Sequence, residues 1–510
     1  MADVGGPDSG SVASLLRWRV AESPDFGFVH VEDEGPWTFA HVAAHAVEIA
    51  EALARVGVAG GSRVLVILGN EERFVAAMHA VWMRGAVVVP VHPATPAPVL
   101  GEIVTSQRAD AILAPPAFPA DGLAIPVVPV RTVPWSEPAD RERAALFAAP
   151  ADVADADTAL VLLTSGSTGA PKGVRLTHGS AWANLRATVS AFRSDTAPSP
   201  VVDASKPPNL LANPVSHTAG IVRVLFALYV GRGLVMVRKF QAPLVKRLLD
   251  GHRIDNLTIN PAMIRMLLDG LEPGQDLGRV RYVSSGTAPL APATREEFER
   301  RFGVPILQAY GQTEAFGGVA IESVRDVLSG NRRPGSVGKP LPGVRIRLVD
   351  HGSDVAAGDE GEIWVKTGSA MSGYEGGGEG SPVDAEGWLH TGDIGRQDDE
   401  GYLYITGRIK NIIICGGFNI VPEEVEGALI RDPEVHDAVV VPVPDVRLGE
   451  LPVALVESTK TAEAVREEVS GLVASYKRPR LVFVVDALPR VANGKVDRPA
   501  ATRLAAELVK

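Results

Sequence analysis

The chain has a single cysteine, Cys415, among 510 residues. That excludes an intramolecular disulfide and any thiolate metal cluster, and it fits a reducing cytosol. An excess of basic residues is also missing. Lys and Arg number 50 against 61 Asp and Glu, a net charge of −11. General binding to nucleic acid or to anionic membranes wants the opposite balance, although a small basic pocket for an anionic ligand remains compatible. No long uninterrupted apolar run is present. The most apolar long window, Ala111–Val130, holds Pro115, Pro116, Pro119, Pro126 and Pro129, which a membrane-spanning helix would rarely carry. Met1–Gly10 is polar and Gly-rich and has no basic segment leading into an apolar one, so it does not read as a signal peptide. The last residues, Leu508-Val509-Lys510, carry no peroxisomal address. A cytoplasmic protein without a membrane span is the expectation.

What is there is the balance of an ordinary globular protein, 46% hydrophobic and 22% charged. At about 150 residues per domain the length predicts roughly three domains, or two unequal ones. The 52 glycines and 39 prolines exceed average usage of about 7% and 5%, which predicts many loops and tight turns.

Phe39, Val42, Ala46, Ile49, Leu53 and Val56 recur at helical spacing, and Gly57 can end that helix. Arg63–Leu68 reads as a strand, 72–84 as a helix and Ala86–Val91 as a strand. That succession is the unit of a parallel sheet. The rhythm returns with a strand at Thr158–Leu163, a Gly-rich loop and a helix from about His178, then short strands at Asn256–Ile259 and Arg281–Ser284. From Gly343 the texture changes to short strands at Val344–Val349, Gly361–Lys366 and Tyr402–Ile405, a small β subdomain of about 335–409. Residues 411–510 read as a compact unit. It has a helix after Pro422, strands at Val439–Val443, Val453–Val456 and Leu481–Val485, and helices at Ala462–Ala474 and at the end. Pro115–Pro150 is expected to wrap the surface and Gly373–Gly380 to be mobile. No internal repeat appears. The fold class is α/β: a large N-terminal domain of parallel-type sheets with helices plus the β subdomain, and a small mobile α+β C-terminal domain.

One segment carries obvious chemistry. Thr164, Ser165, Gly166, Ser167, Thr168, Gly169, Ala170, Pro171, Lys172 and Gly173 follow a strand and precede a helix. Small residues let backbone N–H groups close around phosphate oxygens, and hydroxyls and a lysine add donors. A flexible polar linker is the rival reading. The spelling is not that of a P-loop, because Pro171 precedes Lys172 and Gly173 follows it.

This loop resembles the signature loop of the adenylate-forming superfamily of acyl-CoA synthetases, aryl-CoA ligases, peptide-synthetase adenylation domains and beetle luciferases. Four further segments match that family in its order: Gln308-Ala309-Tyr310-Gly311-Gln312-Thr313-Glu314, Gly387-Trp388-Leu389-His390-Thr391-Gly392-Asp393, Gly407-Arg408-Ile409-Lys410 through Gly416-Gly417, and Pro489 through Gly494-Lys495. Weaker similarity runs from about residue 10 to the end.

The resemblance implies a role for each motif. A carboxylate is a poor acyl donor until ATP turns its oxygen into part of AMP, and the meeting of two anions needs cations and donors at the α-phosphoryl group. Lys495 resembles the family's essential lysine, Glu314 its magnesium ligand with Thr164 beside it, and Thr313 a donor to the α-phosphate. Tyr310 is expected along the adenine face and Asp393 on both ribose hydroxyls, with Arg408 on the ribose or phosphate side. Gly286, Thr287, Ala288 and Pro289, after Ser285, resemble the segment lining the adenine and acyl pockets, with Thr287 a small departure from the family's spelling. Gly311 belongs to the same lining. Lys410 sits at the family's hinge, about which the C-terminal domain (410–510) turns against the N-terminal domain (1–409). Gly416 and Gly417 would then face the incoming thiol. Cys415 reads as a buried structural thiol.

Pro214 through Gly220 resembles the family's segment whose histidine, here His217, lies beside the acyl pocket. A satisfied core histidine is the alternative. The expected pocket wall includes Ile221, Leu225, Phe226, Met263, Gly286, Gly311, Gly317 and Gly318. No acidic residue lies between Leu210 and Phe240, and a buried ammonium without a partner is costly, so an amino acid substrate is disfavoured. A medium-to-large aliphatic, aryl or polycyclic acid is the expectation. The implied activity is ATP-dependent formation of an acyl-AMP with Mg2+, followed by acyl transfer to CoA. The alternatives are loading of a carrier-protein phosphopantetheine and, from another class, a non-catalytic nucleotide-binding protein. Oligomeric state stays open.

Overall fold

The structure is a computed structural model that describes residues 11–120, 122–147, 154, 156–164, 172–192, 202–375, 381–415, 418–491 and 494–510. Seven strands form the largest sheet, in the order Gly373–Tyr374, Lys172–Thr177, Thr158–Thr164, Val87–Pro90, Arg63–Val66, Ala111–Ala114, Val127–Pro129. Its last five strands run parallel. Val87–Pro90 and Ala111–Ala114 are buried at every residue, which is why they read as unbroken apolar runs: helices cover both faces of a parallel sheet. The helix Glu72–Met83 is one of the crossovers. Phe39–Arg55 packs on the same core, its N-terminus closed by a capping box in which Thr38 and His41 exchange side-chain-to-backbone hydrogen bonds.

A four-stranded sheet joins Glu34–Thr38, Gly27–Val31, Leu234–Met236 and Asn209–Leu211. A five-stranded one runs Asn256–Ile259, Tyr282–Ser285, Ile306–Gln312, Gly317–Ile321, Lys339–Pro340. Its first three strands are parallel and the last two antiparallel. The change of texture near Gly343 corresponds to a wholly antiparallel sheet of Ser353–Asp354, Arg345–Asp350, Gly361–Lys366, Leu389–Gln397 and Leu403–Arg408. The last sheet contains Ile413–Cys415, Phe418–Ile420, Val435–Asp445, Gly449–Ser458 and Leu481–Val484. Two of its strands are about twice the expected length and form one long hairpin. Cys415 is 4% exposed inside the core of this last unit.

Three sequence expectations change. The Gly-rich loop does not lead from a strand into a helix. It closes an antiparallel hairpin, because Lys172–Thr177 pairs back along Thr158–Thr164 and the helix His178–Phe192 begins only afterwards. Lys172 and Gly173 take part in that ladder, opposite Thr164 and Leu163. In the stretch expected to wrap the surface, Val127–Pro129 instead joins the edge of the largest sheet. The run Gly373–Gly380 is likewise not uniformly loose: Gly373–Tyr374 pairs with Arg175 and Val174, while 376–380 lie outside the described residues.

One long-range contact ties the N-terminal helix Ser14–Glu22 to the helix Thr218–Val230. The fully buried Arg19 donates from Nε to the Leu228 carbonyl at 2.7 Å and from Nη2 to that of Tyr229 at 3.0 Å. It satisfies carbonyls that a helix end leaves open. Gly231 ends the helix at φ +67°, and a Cβ there would lie 3.1 Å from the guanidinium.

Candidate active site

The strand Ile306–Gln312 and the short helical turn Thr313–Ala315 bring the first group of side chains together. Strand and returning strand approach so closely that a Cβ on Gly311 would lie 1.8 Å from the Gly317 carbonyl oxygen. Only glycine fits that crossing. Beyond the turn, Gly317 holds φ +114°, and a Cβ there would touch Thr218 and Val222 of the helix Thr218–Val230. The Thr218 hydroxyl meets the Thr313 hydroxyl at 3.1 Å. Glu314 accepts a hydrogen bond from the Tyr374 phenol at 3.0 Å on Oε1, and Oε2 has no hydrogen-bond partner among the described residues. The ammonium of Lys172 lies over the Tyr374 ring, 5.7 Å from its centroid. The Thr164 hydroxyl donates to the Lys172 carbonyl at 3.4 Å.

A second group is built on the antiparallel sheet. Asp393 pairs with Arg408 in the strand register, and its carboxylate is 1% exposed. One oxygen accepts the Tyr310 phenol at 2.6 Å and the other the Arg408 Nε at 2.6 Å. Burial raises the Asp393 carboxyl, against the pull of Arg408 and of the Tyr310 hydroxyl. Burial also raises the Tyr310 phenol well above its usual range, and the neighbouring carboxylate adds to that. Both oxygens of the carboxylate expected to take the ribose hydroxyls thus already accept one donor from the protein. Tyr310 is 9% exposed and packs in the apolar cluster with Val319, Leu341 and Leu389.

Lys495 reaches this place from the far end of the sequence. Burial lowers its ammonium, and Arg408, Asp393, Glu314 and Lys410 are the charges acting on it. The loop that carries it is seated on the helix Pro261–Gly270: a Cβ on Gly494 would stand 3.0 Å from the Ala262 methyl. Lys410, in the turn Ile409–Asn411, is lowered first by burial and next by Arg408, with Asp393, Glu314 and Lys172 also close enough to act. His217 precedes the first turn of Thr218–Val230. Burial, then His92 and Lys495, pull its imidazole down to about 4, so it is neutral at pH 7. The structure thus gathers Thr164, Lys172, His217, Tyr310, Thr313, Glu314, Asp393, Arg408, Lys410 and Lys495 around one crevice.

Other candidates fall differently. Ser165, Gly166, Ser167, Thr168, Gly169, Gly416 and Gly417 lie outside the described residues. Gly286 presses against the Ala309 carbonyl, where a Cβ would sit 3.2 Å away. Thr287 adopts φ +72°, an uncommon conformation for a β-branched residue, followed by Ala288 and Pro289. Gly318 abuts Leu341. Ile221 and Leu225, expected in the pocket wall, are 0% exposed inside the main core. The partly exposed face of their helix carries Thr218, Ala219, Val222 and Arg223, together with Phe226 of the expected wall. Tyr374 and Thr218 were also missed. Nothing in a Gly-rich run announces that its tyrosine will reach Glu314.

The sequence matches the family described as AMP-binding enzyme over residues 16–375, and that family's C-terminal domain over 424–495. The chain belongs to this family and is an AMP-forming acid–CoA ligase that works with ATP, Mg2+ and CoA. It is 33% identical to a 4-coumarate–CoA ligase-like protein of Oryza sativa subsp. japonica over 91% of this chain and 86% of the other. It is 32% identical to sulfoacetate–CoA ligase of Cupriavidus necator over 96% of each. The fold superposes with a TM-score of 0.80 on the o-succinylbenzoate CoA synthetase of Bacillus subtilis, solved with ATP and magnesium ion. That comparison covers 95% of this chain and 98% of the other at 26% identity. Among the described residues no helix is long and apolar enough to cross a membrane.

Proposed function

We propose that the crevice joins a carboxylic acid with an apolar body to AMP, and that Lys495 is the cation on which this half-reaction depends. The observation that carries the reading is the convergence of Lys495 with Glu314, Asp393 and Arg408, with its loop seated on Ala262. The acid's carboxylate oxygen attacks the α-phosphorus, the P–O bond to pyrophosphate breaks, and the pyrophosphate departs with its electron pair. Lys495 offsets the charge that accumulates on the phosphoryl oxygens, at a site where burial has removed most competing water. The touching hydroxyls of Thr313 and Thr218 are placed to donate to the same oxygens. Glu314, with one oxygen unclaimed, fits a hard cation shared with nucleotide phosphates, with Thr164 nearby. Mg2+ supplies charge neutralisation there. Arg408, at 43% exposure, is the side chain able to give way so that ribose hydroxyls reach Asp393.

The second half-reaction needs Lys495 to leave. In this reading residues 410–510 turn about Lys410 against residues 1–409, and the segment around Gly416 and Gly417 approaches the acyl-adenylate to admit CoA. Of the relatives named above, one acts on sulfoacetate and one on o-succinylbenzoate. The lone, buried Cys415 supports a cytoplasmic location.

The test separates the half-reactions. Lys495→Ala should abolish carboxylate-dependent ATP–pyrophosphate exchange while leaving thioester formation from supplied acyl-AMP largely intact. Equal loss of both would defeat the assignment. Product analysis with a phosphopantetheinyl carrier protein beside CoA tests whether a carrier is loaded as well.

A further inference from the structure

The helix Thr218–Val230 contains one charged residue, Arg223, in an otherwise apolar sequence. A long cationic side chain there is costly unless something pairs with it. Among the described residues Arg223 has no hydrogen-bond or ion-pair partner; its one contact of note is with the Phe226 ring, 6.0 Å from the centroid. The helix face that carries Thr218, Val222, Arg223 and Phe226 is partly buried, with Val222 and Phe226 packed against the main core. That face is continuous with the active site: Thr218 touches Thr313, and Val222 lies over Gly317.

Tyr282 is a second polar group without a hydrogen-bond partner among the described residues. It opens the strand Tyr282–Ser285, whose far end leads into Gly286. Its ring stacks on Phe192, with centroids 6.4 Å apart, and its phenol makes no hydrogen bond among the described residues. The charges acting on it are Arg223, Asp255, Arg281 and Arg232. Asp255 is the one carboxylate of that set, and Arg232 and Arg281 already claim it at 3.6 and 3.4 Å. Burial lowers the Arg223 guanidinium to about 10, which leaves it charged at pH 7.

The spacing fits the far end of a substrate pocket. Arg223 lies five residues along the helix from Thr218, about 7.5 Å. Tyr282 lies three residues back along its strand from Ser285, about 10 Å. Both lead away from the phosphoryl-transfer end, past the apolar surface of Val222 and Phe226.

We propose that the acid this enzyme activates carries a second acidic group, a carboxylate or sulfonate. That group would ion-pair with Arg223 and accept from the Tyr282 phenol, at the end of the crevice opposite the adenylation site. The assignment rests on the reading of that crevice as the adenylation site. It makes Arg223 a specificity-determining residue and explains why a cation stands in an apolar helix.

The test is ATP–pyrophosphate exchange by the full-length enzyme with matched acids: hexanoate against adipate, octanoate against suberate, and benzoates with and without a carboxylate- or sulfonate-bearing side chain. A hydrogen-bonded ion pair in a desolvated site predicts a preference of about ten- to a hundredfold in kcat/KM for the doubly acidic member. Arg223→Met should remove that preference by raising KM for the diacid, with KM for ATP unchanged, and Arg223→Lys should restore part of it. Tyr282→Phe should weaken it more mildly, and provides a second variant should Arg223→Met lower the melting temperature. Exchange with mono-acids at least equal to that with diacids, in both wild type and Arg223→Met, overturns the inference and leaves the adenylation reading standing. Absence of exchange with every acid, in protein that binds ATP, overturns that reading and the inference with it.

Discussion

Replacing Gly311 by alanine puts one methyl group where the site has no room. The added carbon would lie 1.8 Å from the Gly317 carbonyl oxygen, 2.6 Å from its carbon and 3.0 Å from the Gly318 Cα. Ordinary contact begins near 3.4 Å, so the two strands would have to part by roughly 1.6 Å. All three obstructing atoms are backbone, and no side chain can swing away. The displaced hairpin is the one that aims Thr313 and Glu314. Overpacking of this kind costs about 1–3 kcal/mol, or a fall in melting temperature of about 2–12 °C on the scale of a domain of this size. A misplacement near 1 Å at reacting groups is worth about a hundredfold in rate. The assay is ATP–pyrophosphate exchange beside a thermal melt. Gly101→Ala is the control: in the helix Ala97–Ser106 the added methyl meets nothing within 4 Å, so it should stabilise by about 0.5–1 kcal/mol without altering activity. Gly311→Ala with exchange within threefold of wild type and an unchanged melt would refute the close-approach argument.

Tyr310→Phe removes the 2.6 Å hydrogen bond to a carboxylate with 1% exposure and should cost about 1–3 kcal/mol in urea unfolding; no change would mean that water or Arg408 fully replaces the phenol. Lys410→Pro should slow thioester formation while sparing adenylation, by restricting the torsions of the turn Ile409–Asn411, and unchanged thioester formation would defeat the proposed rotation. His79 is buried between Trp82 and Phe147, and neither ring nitrogen has a hydrogen-bond partner among the described residues. Burial, with His178 adding to it, holds its imidazole at about 3, against 6.5 when unfolded. The unfolded chain therefore binds a proton that the folded one refuses between those values, so this residue's contribution is fully present above pH 6.5 and is lost as pH falls toward 3. His79→Phe should raise the melting temperature relative to wild type, by a margin that widens from pH 7 to pH 4.5; a constant margin would contradict the cause.

Patterns with a local period were legible. The apolar spacing of Phe39–Arg55 and the unbroken runs at Val87–Pro90 and Ala111–Ala114 each report a surface that one element buries, and the folded chain uses those surfaces. The motifs also told which side chains to watch. What they did not show is who meets whom. The Tyr310–Asp393 bond, the Tyr374–Glu314 bond and the Arg63–Glu375 ion pair join residues 83, 60 and 312 positions apart, and no spacing rule reaches so far. The hairpin after Thr164 was missed because its returning strand starts on Lys172 and Gly173, residues that read as loop. Ile221 was misplaced because a helix apolar on every side does not declare which side is open. Only Arg223 breaks its uniformity, and a lone arginine is ordinarily read as surface.

The Arg19 clamp has a consequence for the order in which the protein comes together. Its acceptors, the carbonyls of Leu228 and Tyr229, emerge from the ribosome more than two hundred residues after the guanidinium itself. Until then the first helix has a cation with nowhere to go, and the helix that carries His217 and Arg223 has an unfinished end. The two are completed in one event, so the earliest segment synthesised cannot settle before the middle of the chain exists. Loss of the N-terminal helix, remote in sequence from every catalytic motif, would therefore loosen the wall against which the acid is laid.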